Sequence, residues 1–327
     1  MEQQDILSMT LPELQAAVQE LGEPKFRAKQ IFNWLHQKRV TDFSEMTTLS
    51  LPFRERLASD FCINRLKIAK RLASSVDDTV KYLYELPDGN YVETVCMQYH
   101  HGTSLCISTQ VGCRMGCRFC ASAIAGFVRN LTPAEMLLQI YETERAQNCK
   151  ISSLVLMGIG EPLDNFDNVL RFLQLLSDPN GYGMSLRHVT VSTCGVVPKI
   201  LELAEQRLGL TLSVSLHCPN DAGRSAIMPI NRSYPIDVLL DACQTYFEKT
   251  GRRVTFEYAV MEQVNSAEQD AAALAERLKG LHAHVNLIPI NPVKERNFHT
   301  LKKTVLQFQK TLEWNPCHDS AYTGQRY

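Results

Sequence analysis

The sequence predicts an α/β protein built on a partial barrel of six β/α units, with a small N-terminal helical domain and a β-hairpin extension. From about residue 103 onward, strand-like and helix-like stretches alternate six times. The six strand-like stretches are apolar enough to be buried on both faces, as parallel strands covered by helices are. Six units are too few to close the eight-fold barrel, so we expect an open one.

The first hundred residues are predicted to hold three short helices and one hairpin. The helical stretches are TLPELQAAVQEL, PKFRAKQIFNWLHQK and LPFRERLASDFC, in which apolar residues recur at helical spacing. Two alternating runs, TVKYLYEL and YVETVCMQYH, flank the turn sequence PDGN, which is a strong hairpin signal. We therefore expect an accessory domain at 1–98, the core at 99–313 and a divergent tail at 314–327.

Each predicted core strand is followed by a polar loop. The strands are TSLCISTQ, SSLVLMGI, RHVTVSTC, LTLSVSLH, RRVTFEYAVM and AHVNLIPI. Helices are expected at 132–147, 164–176, 196–207, 235–249, 266–279 and 300–312. The first of them opens with a capping box from Thr132 to Glu135, with proline at the first helical position. Because active sites of such sheets lie at the carboxyl ends of the strands, these loops should carry the chemistry.

The composition is that of an ordinary soluble protein. The chain has 327 residues, 45% of them hydrophobic and 21% charged, and its formal net charge of -1 indicates no particular partner. No apolar run approaches the roughly 20 residues that span a bilayer, and the N-terminus MEQQDILSMT has no signal-peptide core. We therefore expect a cytoplasmic protein with no membrane partner, in which clustered cysteines are metal ligands or catalysts rather than disulfides.

Positive charge is concentrated near the N-terminus. Residues 24–71 carry eleven Lys/Arg and four Asp/Glu, a local charge of +7, which leaves -8 for the remainder of the chain. A solvated helical surface is one interpretation of such a run. The other is a patch that binds phosphates.

Three closely spaced cysteines follow the first core strand. Cys113, Cys117 and Cys120 form the pattern C-x3-C-x2-C. Arg114 and Arg118 lie between them, which disfavours a buried structural role. Thiolate softness and this spacing indicate either zinc or an iron–sulfur cluster. A structural zinc site usually has a second pair of ligands, and none appears downstream. Three thiolates on a four-iron cluster would leave one iron open to bind a substrate.

Polar residues also end the next strands. MGIGEPLDN contains Gly160, which lets the backbone approach a ligand, and Glu161, an acceptor for an ammonium group, although a tight turn would explain the same pattern. VSTCG places Ser192 within reach of the same ligand.

The loops after the fourth and sixth strands continue this pattern. VSLHCPND contains Ser215, Leu216 and His217, where a hydrogen-bonded core histidine is the alternative interpretation, and NLIPINP supplies Asn291. Four polar loops in series at strand ends are difficult to explain by folding alone.

A C-x3-C-x2-C loop after the first strand of a β/α barrel resembles the radical S-adenosylmethionine superfamily. The resemblance implies a [4Fe-4S] cluster on Cys113, Cys117 and Cys120. It also implies that the open iron binds the amino and carboxylate groups of S-adenosylmethionine. The residues expected to bind this cofactor are Gly160, Glu161, Ser192, Ser215, Leu216, His217 and Asn291.

Several stretches together resemble one family within that superfamily. GEPKFRAKQIFNWLHQK, SLCISTQVGCRMGCRFCA, MGIGEPLDN, SLHCPND, MPIN and HVNLIPINP are similar to the dual-specificity adenine-C2 methyltransferases of ribosomal and transfer RNA, over about residues 8–313. The resemblance implies a monomer that methylates C2 of adenine in 23S rRNA and tRNA through a methyl-cysteine intermediate and receives electrons from a donor such as flavodoxin.

Three alternatives remain open at this point. The C8-methylating resistance enzymes share these motifs, so C8 of adenine is the first alternative target. A radical enzyme with a different substrate is the second. A non-enzymatic RNA-binding protein with a structural metal is the third.

The resemblance assigns catalytic roles to two residues before the cysteine loop. C2 of adenine is not a nucleophile and its proton is too weakly acidic for a side-chain base, so the family uses radical chemistry. Cys106 matches the cysteine that resolves a protein–RNA adduct, and Glu93 matches the proton acceptor. Without the family resemblance, Cys106 would be interpreted as a buried strand cysteine and Glu93 as a surface glutamate. The basic region would then hold RNA phosphates, and the target base would leave its stack.

The tail departs from the family pattern. The family ends in a segment like DIDAACGQL, whose cysteine carries the methyl group, whereas this sequence ends in TLEWNPCHDSAYTGQRY. Cys317 is the only cysteine in this tail and its neighbours do not match. We therefore expect the chain as written to hold a cluster and to cleave S-adenosylmethionine, but not to methylate adenine.

Overall fold

The computed structural model describes residues 3–314. Its strands are β1 Gln4–Asp5, β2 Phe61–Cys62, β3 Lys67–Ala73, β4 Val80–Glu85, β5 Tyr91–Tyr99, β6 Gly102–Cys106, β7 Gln110–Gly112, β8 Phe127–Asn130, β9 Ile151–Leu156, β10 Val189–Thr193, β11 Thr211–Ser215, β12 Val254–Val260 and β13 Ala283–Pro289. Its α-helices are α1 Leu11–Glu20, α2 Phe26–Asn33, α3 Leu51–Asp60, α4 Pro133–Gln147, α5 Phe166–Ser177, α6 Val197–Glu205, α7 Asp221–Ile227, α8 Ile236–Thr250, α9 Glu268–Leu278 and α10 Lys302–Trp314. Within the described residues, no helix combines the length and apolar character needed to cross a membrane.

The described residues divide into two compact units. Unit 1 contains the residues up to 111 together with 129–159 and 165–189, and unit 2 contains 112–128, 160–164 and the residues from 190 onward. The predicted domain boundary at residue 98 stays a prediction. The prediction about Cys317 and the tail lies outside the described residues.

Unit 1 is organised around strands that pack on helix α4. Strand β6 pairs in parallel with β9 and antiparallel with β5, and β5, β4 and β3 continue the antiparallel arrangement. Alternate side chains of β4 and β5 contact α4: the Tyr84 and Thr143 hydroxyls lie 2.8 Å apart, and Thr94 donates to Gln139 at 2.8 Å. These bonds satisfy polar groups that the buried face would otherwise leave unpaired.

The predicted capping box at the start of α4 is confirmed, and α1 also begins with a side-chain cap. In α4, the hydroxyl of Thr132 accepts the backbone amide of Glu135 at 3.2 Å, and the Glu135 carboxylate accepts the amide of Thr132 at 2.9 Å. In α1, the Glu13 carboxylate accepts the amide of Thr10 at 2.8 Å. The reciprocal cap of α4 pairs an amide that the first turn of a helix leaves without an intrahelical partner.

Unit 2 contains four parallel strands, β10 from residue 190 with β11, β12 and β13. The strands are apolar on alternate residues, and the polar exceptions pair with one another: Glu257 accepts bonds from Ser213 at 2.6 Å and from Asn286 at 2.7 Å. On the helical side, Tyr258 stacks on Phe308 of α10 with ring centroids 5.0 Å apart. Parallel pairing of this kind brings the carboxyl ends of all four strands to one edge.

The predicted strands of the core are confirmed, while strands β1, β2, β3, β7 and β8 and helix α7 were missed. All six predicted β/α strands form, as β6 and β9 to β13, and the hairpin forms as β4 and β5. Strand β3 was missed because Lys67–Ala73 is exposed along its whole length and lacks an apolar alternation. Helix α7 was missed because it has only seven residues and contains Gly223.

Candidate active site

The three cysteines lie on a loop of unit 2 that backbone hydrogen bonds hold in place. The amide of Cys113 donates to the carbonyl oxygen of Gly126 at 2.9 Å, and the amide of Arg118 donates to that of Ile227 at 2.9 Å. Gly112, with φ of 72°, lies so close to Gly126 that any Cβ there would collide with its carbonyl oxygen. The loop therefore requires glycine at its entrance.

The thiols of this loop are half-buried and lie among other acidic groups. Burial, with smaller contributions from Glu161, Cys120 and Asp164, raises the pKa of Cys113 to about 11. Burial, followed by Cys120, Cys113 and Glu161, raises the pKa of Cys117 to about 12. Several groups that would be anionic thus lie together. A cation bound among them would lower the thiol pKa values that burial raises.

The donor set fits an iron–sulfur cluster. Within residues 3–314, no three His, Cys, Asp or Glu side chains lie close enough together to hold one metal ion. A four-iron cluster takes each thiolate on a different iron, so its ligands need not converge on one point. Three soft sulfur donors on one loop would match such a cluster in number and in ligand type.

Glu161 is almost fully buried and forms specific backbone contacts. One carboxylate oxygen accepts the amide of Leu163 at 3.1 Å, and the other accepts the amide of Cys194 at 2.8 Å. Burial raises the pKa of Glu161, and these hydrogen bonds oppose that rise. The carboxylate thus joins the loop after β9 to the loop after β10, which the sequence alone did not indicate.

His217 is a hydrogen-bonded histidine that packs on the cysteine loop. Its Nδ1 accepts the amide of Ala259 at 2.9 Å, so the proton of the neutral ring lies on Nε2. Its ring meets Phe119 edge-on, with centroids 4.9 Å apart. Burial, followed by the charge of Arg224, lowers the pKa of His217 to about 3.

The backbone of His217 is also unusual, since its φ is 56° in the left-handed region. A histidine costs energy in this region, and such residues cluster at functional sites. The hydrogen bonds of His217 fit the interpretation as a core histidine. Its contact with Phe119 of the cysteine loop fits the interpretation as a site residue.

The other residues predicted to bind the cofactor occupy strand ends of unit 2. Ser192 lies in β10 and Ser215 is the last residue of β11, both half-buried. Leu216 is fully buried, whereas Asn291 is exposed two residues after β13. Gly160 has a φ of 111°, a conformation that other residues rarely adopt.

Arg224 is a residue of this region that the sequence did not single out. It lies in α7, is fully buried, and donates to the carbonyl oxygens of Cys194, Ser215 and Leu216. An arginine in a short polar stretch is ordinarily exposed, so no pattern signalled its position.

Cys106 and Glu93 lie on one face of the sheet in unit 1. Cys106 of β6 pairs directly with Val95 of β5, and Glu93 is two residues from Val95, which puts all three on the same side. Burial raises the pKa of the Cys106 thiol to about 11. The carboxylate of Glu93 contacts the ammonium of Lys81 at 2.6 Å, a pairing that only the strand register reveals.

The basic residues of the N-terminal region differ in exposure. Lys25 and Lys29 are exposed, whereas Arg27 donates to the side chain of Gln30 at 2.9 Å and to the carbonyl oxygen of Thr48 at 3.3 Å. Three further basic residues, Lys67, Lys70 and Arg71, are exposed on β3. The +7 region therefore presents charge to solvent from the start of α2 and from strand β3.

Two family models match the chain. The ribosomal RNA large subunit methyltransferase N-terminal domain matches residues 4–63, and the radical SAM superfamily matches residues 107–275. The first match lies within the predicted accessory region 1–98 and the second within the predicted core 99–313, whose bounds stay a prediction.

Similar proteins cover nearly the whole chain. A probable dual-specificity RNA methyltransferase of Lachnoclostridium phytofermentans is 50% identical over 315 residues, which are 95% of this chain and 88% of the relative. One of Alkaliphilus oremlandii is 49% identical over 96% of this chain and 91% of its own length. A crystal structure of a radical SAM methyltransferase from Sphaerobacter thermophilus superimposes with a TM-score of 0.92 at 37% identity, covering 98% of this chain and 95% of that chain. The predicted fold class is thereby confirmed.

Proposed function

The chain belongs to the radical S-adenosylmethionine superfamily and, within it, to the dual-specificity RNA methyltransferases, and from this premise we propose that its target is C2 of adenine in 23S rRNA and tRNA. The observation that carries the proposal is the 50% identity to a probable dual-specificity RNA methyltransferase over 95% of the chain. The match of residues 4–63 to a ribosomal RNA methyltransferase domain supports RNA as the substrate class.

The cofactors follow from membership of the superfamily, which uses a [4Fe-4S] cluster and S-adenosylmethionine. When bound, they supply a carbon-centred radical that removes a hydrogen atom from a C–H bond that no side-chain base can deprotonate. Cys113, Cys117 and Cys120 would hold the cluster, and the chemistry of this donor set supports that role.

The loops after the strands of unit 2 would bind S-adenosylmethionine. Glu161 fixes the loop after β10 through the amide of Cys194, and Gly160 gives the backbone room for a ligand. Ser192, Ser215, Leu216, His217 and Asn291 would line the same cofactor. Their positions at or after strand ends support this proposal, since ligands of α/β folds bind there.

Cys106 and Glu93 would complete the methyl transfer. In the protein–RNA adduct, Glu93 would be the acceptor for the C2 proton. The Cys106 thiolate would attack the sulfur of the methyl-carrying cysteine, so that a disulfide forms while the S–C bond to the RNA breaks and its electron pair stays on the transferred carbon. Their position on one sheet face supports a shared role. The 2.6 Å contact with Lys81 would orient the Glu93 carboxylate as an acceptor.

The remaining parts of the proposal concern partners and location. Exposed Lys25 and Lys29, with the basic residues of β3, would bind RNA phosphates. Reduction of the cluster requires a one-electron source, so the proposal includes an electron donor such as flavodoxin. It also includes a cytoplasmic location, because the RNA substrates are cytoplasmic, and a monomeric state.

Whether the tail supplies the methyl-carrying cysteine is a separate prediction. The expectation that the tail does not supply it rests on the neighbours of Cys317, outside the described residues. A chimera separates the two claims: residues after Glu313 are replaced by the corresponding segment of the Lachnoclostridium phytofermentans relative.

Both chains are reconstituted anaerobically with S-adenosylmethionine and ribosomal RNA, and nucleosides are analysed by mass spectrometry. The chimera is expected to form 2-methyladenosine, and the 327-residue chain is expected to form none. A cluster-loaded chimera that methylates no adenine, or methylates C8, contradicts the proposed function. Formation of 2-methyladenosine by the 327-residue chain, with S-methylation of Cys317, would instead make Cys317 the methyl carrier.

A further inference from the structure

Arg224 is a fully buried cation whose hydrogen bonds all go to neutral oxygens. Its Nε donates to Leu216 at 3.1 Å, and its Nη2 donates to Ser215 at 3.0 Å and to Cys194 at 2.7 Å, in each case to the carbonyl oxygen. Its Nη1 donates to the amide oxygen of Asn231 at 2.9 Å. Among the described residues, no carboxylate accepts a hydrogen bond from this guanidinium.

The nearest link to a carboxylate passes through Asn231. The amide nitrogen of Asn231 donates to Asp221 at 2.9 Å, and Asp221 also accepts the backbone amide of Ile236 at 2.9 Å. The Asp221 carboxylate is therefore already shared between two donors. Burying a charge without a directly bonded opposite charge costs free energy of desolvation. The presence of a guanidinium in this position therefore needs an explanation.

The segment that carries Arg224 contacts the cysteine loop. The carbonyl oxygen of Ile227, in the same helix, accepts the amide of Arg118 at 2.9 Å. Cys117 packs against an apolar cluster of unit 2 that includes Cys194, Cys218, Ile227 and Met228. Cys194, whose carbonyl oxygen accepts the Nη2 of Arg224 at 2.7 Å, belongs to this same cluster, so a single buried residue links the guanidinium to a cysteine of the loop.

We propose that Arg224 is the counter-charge of the iron–sulfur cluster, a positioning residue that stabilises the thiolates and favours uptake of an electron. This inference rests on the proposed function. Three thiolates on a [4Fe-4S]²⁺ core have a net charge of -1, and one electron from a low-potential donor makes it -2. A fixed cation stabilises the second state more than the first, so its removal makes reduction less favourable.

Two variants separate the charge of Arg224 from its hydrogen bonds. Arg224→Gln removes the charge and most of the donors, whereas Arg224→Lys also loses donors but keeps the charge. Arg171→Gln is the control for a lost arginine charge, since Arg171 lies in unit 1 and pairs with Glu13. Each chain is reconstituted anaerobically, and its iron content and midpoint reduction potential are measured by titration with dithionite.

The expected result is that Arg224→Gln lowers the equilibrium constant for one-electron reduction at least tenfold, which is about 59 mV toward more negative potential. Arg224→Lys and Arg171→Gln should stay close to the wild type. If Arg224→Gln does not retain iron, retention by Arg224→Lys alone supports the proposal. Equal potentials in all four chains, or equal loss of iron from both Arg224 variants, would leave Arg224 a structural clamp and overturn it. A wild-type chain that binds no cluster would instead refute the proposed function.

Discussion

The carboxylate of Glu161 accepts a hydrogen bond of 2.8 Å from the backbone amide of Cys194. This bond joins a turn after β9 to the loop after β10, and the second oxygen accepts the amide of Leu163. Gly160, which is predicted to bind S-adenosylmethionine, lies in the first of these segments, and Ser192, predicted likewise, lies in β10 just before the second. The carboxylate therefore fixes these two segments relative to each other.

Replacing Glu161 by alanine should reduce stability. The change leaves two buried amides unpaired, so the free energy of unfolding is expected to fall by about 1–3 kcal/mol for each orphaned group. Glu161→Gln keeps one oxygen acceptor and should lose less. Urea unfolding measures both effects, and equal stabilities for the alanine variant and the wild type would show that the bonds contribute nothing.

Loss of any cysteine of the loop should abolish iron binding. Cys113→Ala, Cys117→Ala and Cys120→Ala each remove one of three thiolates, and a cluster cannot be held by the remaining two. Cys62→Ala, in unit 1, is the matched control and should retain iron. Iron per chain and circular dichroism are measured together, and a folded loop variant with full iron content refutes the ligand set.

Charge reversal in the N-terminal region should weaken RNA binding. Changing Lys25, Arg27 and Lys29 to Glu is expected to reduce the salt slope of binding by about 0.9 for each RNA phosphate that the variant no longer neutralises. The control reverses three exposed lysines of unit 2, Lys294, Lys303 and Lys310.

Thermal unfolding of the triple variant measures how much stability is lost when the Arg27 hydrogen bonds are removed. An unchanged slope for the N-terminal variant, or an equal reduction in the control, would return this region to the solvated surface that the sequence also allowed.

Acid should destabilise the protein through His36. This side chain is fully buried, with Nδ1 2.9 Å from the hydroxyl of Tyr141, and burial lowers its pKa from 6.5 to about 4. The unfolded chain therefore binds a proton below pH 6.5 that the folded chain accepts only near pH 4. Stability is full above about pH 6.5 and falls as the pH drops to about 4, by about 3 kcal/mol.

Urea unfolding between about pH 7 and about pH 4 tests this sign. His36→Gln, which does not titrate, should show a flatter dependence on pH than the wild type. Equal curves for the two chains would show that another group controls the loss.

The elements that the sequence predicted best are those with a clear apolar period. Each core strand is buried on alternate or successive residues, and the Thr132 capping box and the PDGN turn encode their boundaries locally. Strand β3 has no such pattern, because Lys67–Ala73 is exposed and gains its partner only from β4. Helix α7 is too short for its period to be visible.

The chemistry of the site was partly predictable for a related reason. The cysteine spacing is local, so it was visible in the sequence, and its assignment to a cluster remains to be tested. The contact between Lys81 and Glu93 depends on strand register. The burial of Arg224 depends on carbonyl groups from the end of β11 and from the loops that follow β10 and β11. Such long-range contacts arise only when the chain has folded.

The most direct test of the central claim is cleavage of S-adenosylmethionine by the 327-residue chain. The protein is reconstituted anaerobically with iron and sulfide and reduced with dithionite, and 5′-deoxyadenosine is quantified by mass spectrometry. We predict that the wild type forms 5′-deoxyadenosine and methionine in equal amounts and that Cys117→Ala forms neither. A chain loaded with four irons that leaves S-adenosylmethionine intact would contradict the account.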